Sequence, residues 1–167
     1  MNEMKLTEMG PNVVNYLEGL ANNPWEGTIL EGYYALNPAS KGSKGEQTVE
    51  EILKQLGHEV KSRCNPGHDR VVNGVKTEIK FALAVNRNEN FQCIFNHIGM
   101  EKDWDEIILC CVNGDLEIRM VSFTKENFPL DLCSRQQGGS SSSNVDFMCN
   151  ATNSYSMLFH EDAKILF

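Results

Sequence analysis

Two acids and a lysine stand in a stretch whose turn chemistry gathers them: His68-Asp69-Arg70-Val71-Val72-Asn73-Gly74-Val75-Lys76-Thr77-Glu78-Ile79-Lys80. Asn-Gly between β-branched runs is a strong two-residue hairpin signal, because a type I′ turn needs φ > 0 at both central residues. That register pairs Val72 with Val75 and sets Asp69 opposite Glu78, with Cβ atoms ~5 Å apart, where like charges repel. Alternation along the strand puts Lys80 on the same face. A divalent cation would offset the repulsion. Mg²⁺ takes hard oxygen ligands, commonly one or two carboxylates with water for the rest, and acts on a phosphate oxygen as a Lewis acid. The Ile79 carbonyl, between the two side chains, is a further candidate ligand. Lys80 is suited to orient an attacking water or to neutralise charge in the transition state. Metal, water and cation are the parts that phosphodiester hydrolysis requires.

Around this hairpin the pattern predicts a helix over 45–57, with Val49, Ile52, Leu53 and Leu56 as its apolar stripe and Gly57 as its stop. Glu46 lies at the edge of that stripe and has two readings. As a third acid it reaches toward the metal; as the N3 residue of a capping box it reaches back to Ser43 as N-cap. Strands are expected at 59–64, 68–72 and 75–83, a helix at 89–98 and a strand at 106–112. Asn113-Gly114 then turns the chain into 116–123. The order from residue 45 is α-β-β-β-α-β, an α/β (α+β) class with a central mixed sheet flanked by helices. A short helix is expected at 12–21. Beyond residue 124 the chain reads as loop-rich, with a flexible Gly138–Ser143 segment and one or two short strands within 154–159 and 163–167.

With 167 residues, a single domain is expected: a core at about 44–123, an N-terminal helical extension over 1–43 and a C-terminal segment over 124–167. The formal net charge of −8 argues against a uniformly basic nucleic-acid binder. The charge is uneven, however. Residues 39–102 hold ten Lys/Arg against eight Asp/Glu, so the positive surplus surrounds the hairpin. The six cysteines show no CxxC spacing and read as buried thiols rather than a zinc site. No apolar run suits a membrane span and no leader pattern is evident, so a cytoplasmic location is expected. His58 and His68 flank strands and read as structural; His97 falls off the apolar stripe of the second expected helix.

The Asp69…Glu78-x-Lys80 pattern in an αβββαβ order resembles the PD-(D/E)XK nuclease superfamily. His68 replaces the proline of the family name. Lys44-Gly45-Glu46, followed by Val49, Leu53 and Gly57, resembles the family's first core helix, whose glutamate often serves at the metal. Asn90-Phe91-Gln92 through Phe95-Asn96-His97-Ile98, and Asp103–Leu109 after it, resemble more narrowly the segments that follow the motif in small type II restriction endonucleases. Arg135-Gln136-Gln137-Gly138-Gly139 is similar to a DNA-facing loop in such enzymes. The resemblance implies a Mg²⁺-dependent endodeoxyribonuclease, with Mn²⁺ able to substitute, acting on DNA as a homodimer. It implies catalysis by Asp69, Glu78, Lys80 and Glu46, metal ligation by Asp69, Glu78, Ile79 and Glu46, and DNA contacts at Lys44, Arg70, Asn96, His97, Arg135 and Gln137. A Holliday-junction-type resolvase and a non-catalytic nucleic-acid-binding module are the alternatives.

Overall fold

The computed structural model describes residues 5, 8, 10–12, 23–87, 90–136 and 145–167. The helix expected over 12–21, apart from its first residue, and the Gly138–Ser143 segment lie outside the described residues. The chain divides into two compact units, Met1–Asn37 and Pro38–Phe167. In the first, side chains organise a turn ahead of helix α1 (Glu31–Tyr34). Trp25 N–H donates to Asn23 Oδ1 at 3.0 Å and Leu30 N–H to Thr28 Oγ1 at 3.1 Å.

The second unit opens with helix α2 (Pro38–Gln55). It begins at Pro38 rather than near Gly45, because proline suits the first turn, where its missing N–H is not needed. Ser43 therefore lies inside the helix, and the capping-box reading of Glu46 is overturned. The expected C-terminus holds. Gly57 adopts φ +88, its N–H meets Lys54 O at 3.0 Å, and His58 N–H meets Leu53 O at 2.9 Å. These are the two bonds of a Schellman motif.

Strands β1 (Val60–Ser62), β2 (Arg70–Val72) and β3 (Val75–Leu83) follow. The β2–β3 hairpin has the expected register, Val72 opposite Val75, and Asn73 and Gly74 take φ of 50 and 82. β5 (Glu106–Val112) pairs parallel to β3, and β6 (Ile118–Thr124) pairs antiparallel to β5. A two-residue β9 (Lys164–Ile165) ends a mixed sheet of order β1-β2-β3-β5-β6-β9.

The segment between β3 and β5 corrects the sequence reading. No helix forms at 90–98; Phe95–Ile98 is strand β4. Phe91 and His97 have φ of 50 and 53, which a right-handed helix excludes. Phe91, Cys93 and Phe95 are buried while Ile94 is 39 % exposed, so the real period is two, not 3.6. The second helix of the αβββαβ order is thus absent, and the parallel β3–β5 crossover runs through β4. Strands β7 (Ser134–Gln136) and β8 (Asp146–Cys149) join β4 in a second sheet, ordered β4-β8-β7. The expected strand at 154–159 is instead helix α3 (Ala151–Leu158), whose N-cap Asn150 accepts the Asn153 N–H at 3.1 Å. The C-terminal segment is therefore less loop-rich than its composition suggests.

Alternation splits the sheet's apolar residues between two cores. Val49 and Leu53 of α2 pack on Val72, Ile79, Ile108, Cys110 and Met120. The opposite face, with Ile107, Leu109, Cys111, Val121 and Phe123, packs on β4, β8 and α3. Four of the cysteines are buried, Cys133 is half-buried and Cys64 is exposed; all are free thiols.

Candidate functional site

Strand parity places Glu78 and Lys80 on the face opposite α2, since they pair with Ile107 and Leu109. Glu78 is only 2 % exposed. Burying a carboxylate is expensive unless it is paired. Here Lys80 Nζ lies 3.0 Å and Lys102 Nζ 3.6 Å from Glu78 Oε1.

Asp69 departs from the simple ladder. Regular pairing stops at Arg70–Thr77. The Asp69 N–H donates to Thr77 O at 3.0 Å, and its Oδ2 accepts the Ile79 N–H at 2.7 Å. The carboxylate thus stands in for the missing backbone acceptor at the β3 edge, rather than rising face to face with Glu78. A strand residue presents its N–H and C=O to the same edge, so the Ile79 carbonyl also points to the Asp69 side.

Glu46 comes from α2. Its Oε2 lies 3.3 Å from Arg70 Nη1, and Arg70 Nε lies 2.6 Å from Glu50 Oε2. Arg70 also donates to the Asp69 carbonyl at 2.8 Å. Burial, followed by the negative charges of Asp69 and Glu78, raises the Glu46 carboxyl above its ordinary range, against the opposing pull of Arg70 and Lys80. Glu46 on the α2 side thus still feels the charges of Asp69 and, across the sheet, of Glu78 and Lys80. Hydrogen bonds from Lys54 and Arg70 hold Glu50 below the usual carboxylate range.

The approach of α2 that allows this depends on Gly45. A Cβ there would fall 2.9 Å from Phe81 Cβ. The loop ahead of Asp69 is fixed by His68, which is buried. The Cys64 N–H donates to His68 Nε2 at 3.3 Å, so the ring proton sits on Nδ1, which meets Asp103 O at 3.1 Å. Asp103 also holds Lys76 at 2.8 Å and Asn65 at 2.7 Å. Gly67 makes this docking possible: a Cβ on it would meet Asp103 Cβ at 2.7 Å.

The remaining candidates are dispersed. Lys44 is exposed on α2 and donates to Gln47 Oε1 at 3.2 Å. Arg70 is turned inward onto Glu46 and Glu50. Asn96 and His97 are exposed on β4, where both meet Gln136: His97 N–H donates to Gln136 Oε1 at 2.8 Å, and Gln136 Nε2 lies 3.3 Å from Asn96 Oδ1. His97 Nδ1 faces Asp146 Oδ2 at 3.2 Å. Arg135 is exposed on β7, and Gln137 lies outside the described residues. The sequence reading missed Glu50 and Lys102. Glu50 was legible as the residue one turn after Glu46; Lys102, in a loop far from the motif, carried no signal.

Among the described residues, no three His, Cys, Asp or Glu side chains converge as a ready metal cage. Mg²⁺ does not demand one, because it is commonly held by one or two carboxylates and water. The donor chemistry fits: Asp69, Glu78, Glu46 and the Ile79 carbonyl offer only hard oxygens. The acids Glu46, Glu50, Asp69 and Glu78 outnumber the bases Arg70, Lys80 and Lys102 by one. Among the described residues, no helix is long and apolar enough to cross a membrane. Compared with known proteins, the chain matches no family model and no curated sequence.

Proposed function

We propose that this protein is a divalent-metal-dependent endodeoxyribonuclease that hydrolyses DNA phosphodiester bonds, in the manner of a sequence-specific type II restriction endonuclease. The observation that carries the reading is the buried Glu78 carboxylate paired to Lys80 at 3.0 Å, with the Asp69 carboxylate held by the N–H of Ile79, between them in sequence, and Glu46 raised first by burial and then by Asp69. Asp69, Glu78 and the Ile79 carbonyl would hold Mg²⁺ or Mn²⁺, with Glu46 reaching it directly or through water. The ion, when bound, supplies Lewis-acid polarisation of the scissile phosphate and a water of lowered pKa.

The chain's own residues supply the rest. The Ile79 N–H fixes the orientation of the Asp69 carboxylate. Lys80, 3.0 Å from Glu78, would supply a positive charge to orient an attacking water or offset the developing phosphate charge. Arg70 steadies Glu46 and Glu50, so the acids remain in place before any ligand arrives. Cutting both strands of a duplex requires two such sites, which a homodimer with two-fold symmetry provides. With a net charge of −8, affinity for DNA depends on the divalent ion.

The test is cleavage of supercoiled plasmid, genomic DNA and four-way junctions with and without Mg²⁺. Discrete fragments with one shared end sequence support the restriction reading. Cutting confined to junctions points to a resolvase. Binding without cutting under all conditions makes the protein a non-catalytic nucleic-acid-binding module and overturns the proposal.

A further inference from the structure

Glu78 has two cationic partners, and only Lys80 belongs to the Glu-x-Lys pattern. Lys102 comes from the loop between β4 and β5, and its approach is built. Gly99 is buried, and a Cβ there would fall 3.0 Å from Lys102 Cγ, Cδ and Cε, so the lysine stem lies across bare backbone. The 1 %-exposed Trp104 anchors that backbone through Nε1 to Gly99 O at 2.8 Å. Lys102 N–H bonds Gly99 O at 3.3 Å, and Lys102 O accepts from Trp104 N–H at 3.1 Å and from Lys125 Nζ. The Lys102 backbone is held while the side chain remains 44 % exposed. At 3.6 Å its contact to Glu78 is looser than that of Lys80 at 3.0 Å.

We infer that Lys102 is a second positioning cation of this site, one that changes partner. Without a divalent ion it neutralises Glu78. Once a divalent ion takes Glu78, charge repulsion turns the ammonium outward, where it binds the incoming DNA phosphate. The inference rests on the metal-dependent reading above. It makes Lys102 a competitor of the metal and an ally of the substrate, two effects of opposite sign.

The experiment compares the full chain with Lys102→Met and Lys102→Arg. Mn²⁺ binding is read from the electron paramagnetic resonance of the free ion. Binding of a mixed-sequence DNA duplex is read in Ca²⁺ over a range of salt. Lys102→Met should bind Mn²⁺ roughly fivefold more tightly, in keeping with loss of a partly exposed ion pair. It should bind DNA more weakly, with a salt slope lower by about one. Lys102→Arg should resemble the parent. A merely structural lysine would weaken both affinities together. Unchanged or weaker Mn²⁺ binding in Lys102→Met, with Mn²⁺ bound by the parent, overturns this inference alone. No Mn²⁺ binding by any of the three proteins overturns the metal-dependent reading and the inference with it.

Discussion

Gly45 and Phe81 meet across the helix–sheet interface with no space for a methyl group: a Cβ on Gly45 would lie 2.9 Å from Phe81 Cβ and 3.2 Å from Cδ1. Glu46 follows directly in the chain, so the depth at which α2 sits on the sheet also sets how near Glu46 comes to Asp69 and Glu78.

Gly45→Ala should therefore destabilise the protein although it adds a better helix former. The propensity gain is about 1 kcal/mol, and overpacking costs typically 1–3 kcal/mol. Urea unfolding should show a lower midpoint with an unchanged slope. A raised midpoint would mean that the interface relaxes freely.

Removing the acids separates chemistry from folding. Glu78→Gln and Lys80→Met should each lower cleavage at least roughly a hundredfold, the scale of a lost electrostatic group in an active site. Asp69→Asn keeps an acceptor for the Ile79 N–H, so it should lose activity with little stability. Asp69→Ala leaves that N–H without its partner and should cost a further ~1–3 kcal/mol. Thermal melts beside plasmid cleavage decide this, and near-parent cleavage by Glu78→Gln would remove Glu78 from the chemistry.

Glu46 gives a pH dependence of defined sign. Its carboxyl lies above the ordinary value of 4.5, first through burial and then through Asp69. The folded state thus holds this proton more tightly than the unfolded chain. The resulting stabilisation is full below pH 4.5 and is lost as pH rises through the elevated folded value. Glu46→Gln should be more stable than the parent at neutral pH, with the difference shrinking on acidification. Unfolding free energies from pH 3 to 8, about the range in which carboxylates titrate, check this. A Gln variant uniformly less stable would show that the Arg70 contact outweighs the crowding.

Added divalent ion should act as a stabiliser. Mg²⁺ at a hundred times its Kd raises stability by about 2.7 kcal/mol if it binds only the folded state. The melting temperature should climb with Mg²⁺, return in EDTA and stay flat in an Asp69→Asn, Glu78→Gln double variant. An equal rise in that variant would place the ion elsewhere.

The hairpin was legible because Asn73-Gly74 fixes both φ angles and register locally. Strand β5 was legible for a similar reason: a continuous apolar run bounded by charged and turn residues. What escaped the sequence depends on distant partners. Phe91, Ile94, Phe95 and Ile98 fit a helical stripe as well as Phe91, Cys93 and Phe95 fit a strand. Only pairing with β8, as in Phe95–Cys149, decides between them. Ser43 looks like an N-cap because Ser and Glu three residues apart match a capping box, but the helix already starts at Pro38, which leaves Ser43 in its interior. The acids of the site were visible as types at a spacing. The in-plane carboxylate of Asp69 was not, because it follows from where the β2 ladder ends.

The long-range pairing of β4 also orders events in time. Residues from α2 to β3 can associate through contacts close in sequence, whereas Phe95 and Ile98 must find Cys149 and Phe147. Closing a loop of roughly fifty residues is an entropic burden that local pairs do not share, and such pairings tend to form late. The loop carrying Lys102 begins where β4 ends. A folding chain is thus expected to bring Asp69, Glu78 and Lys80 together first and to dock the β4 end of the Lys102 loop afterwards.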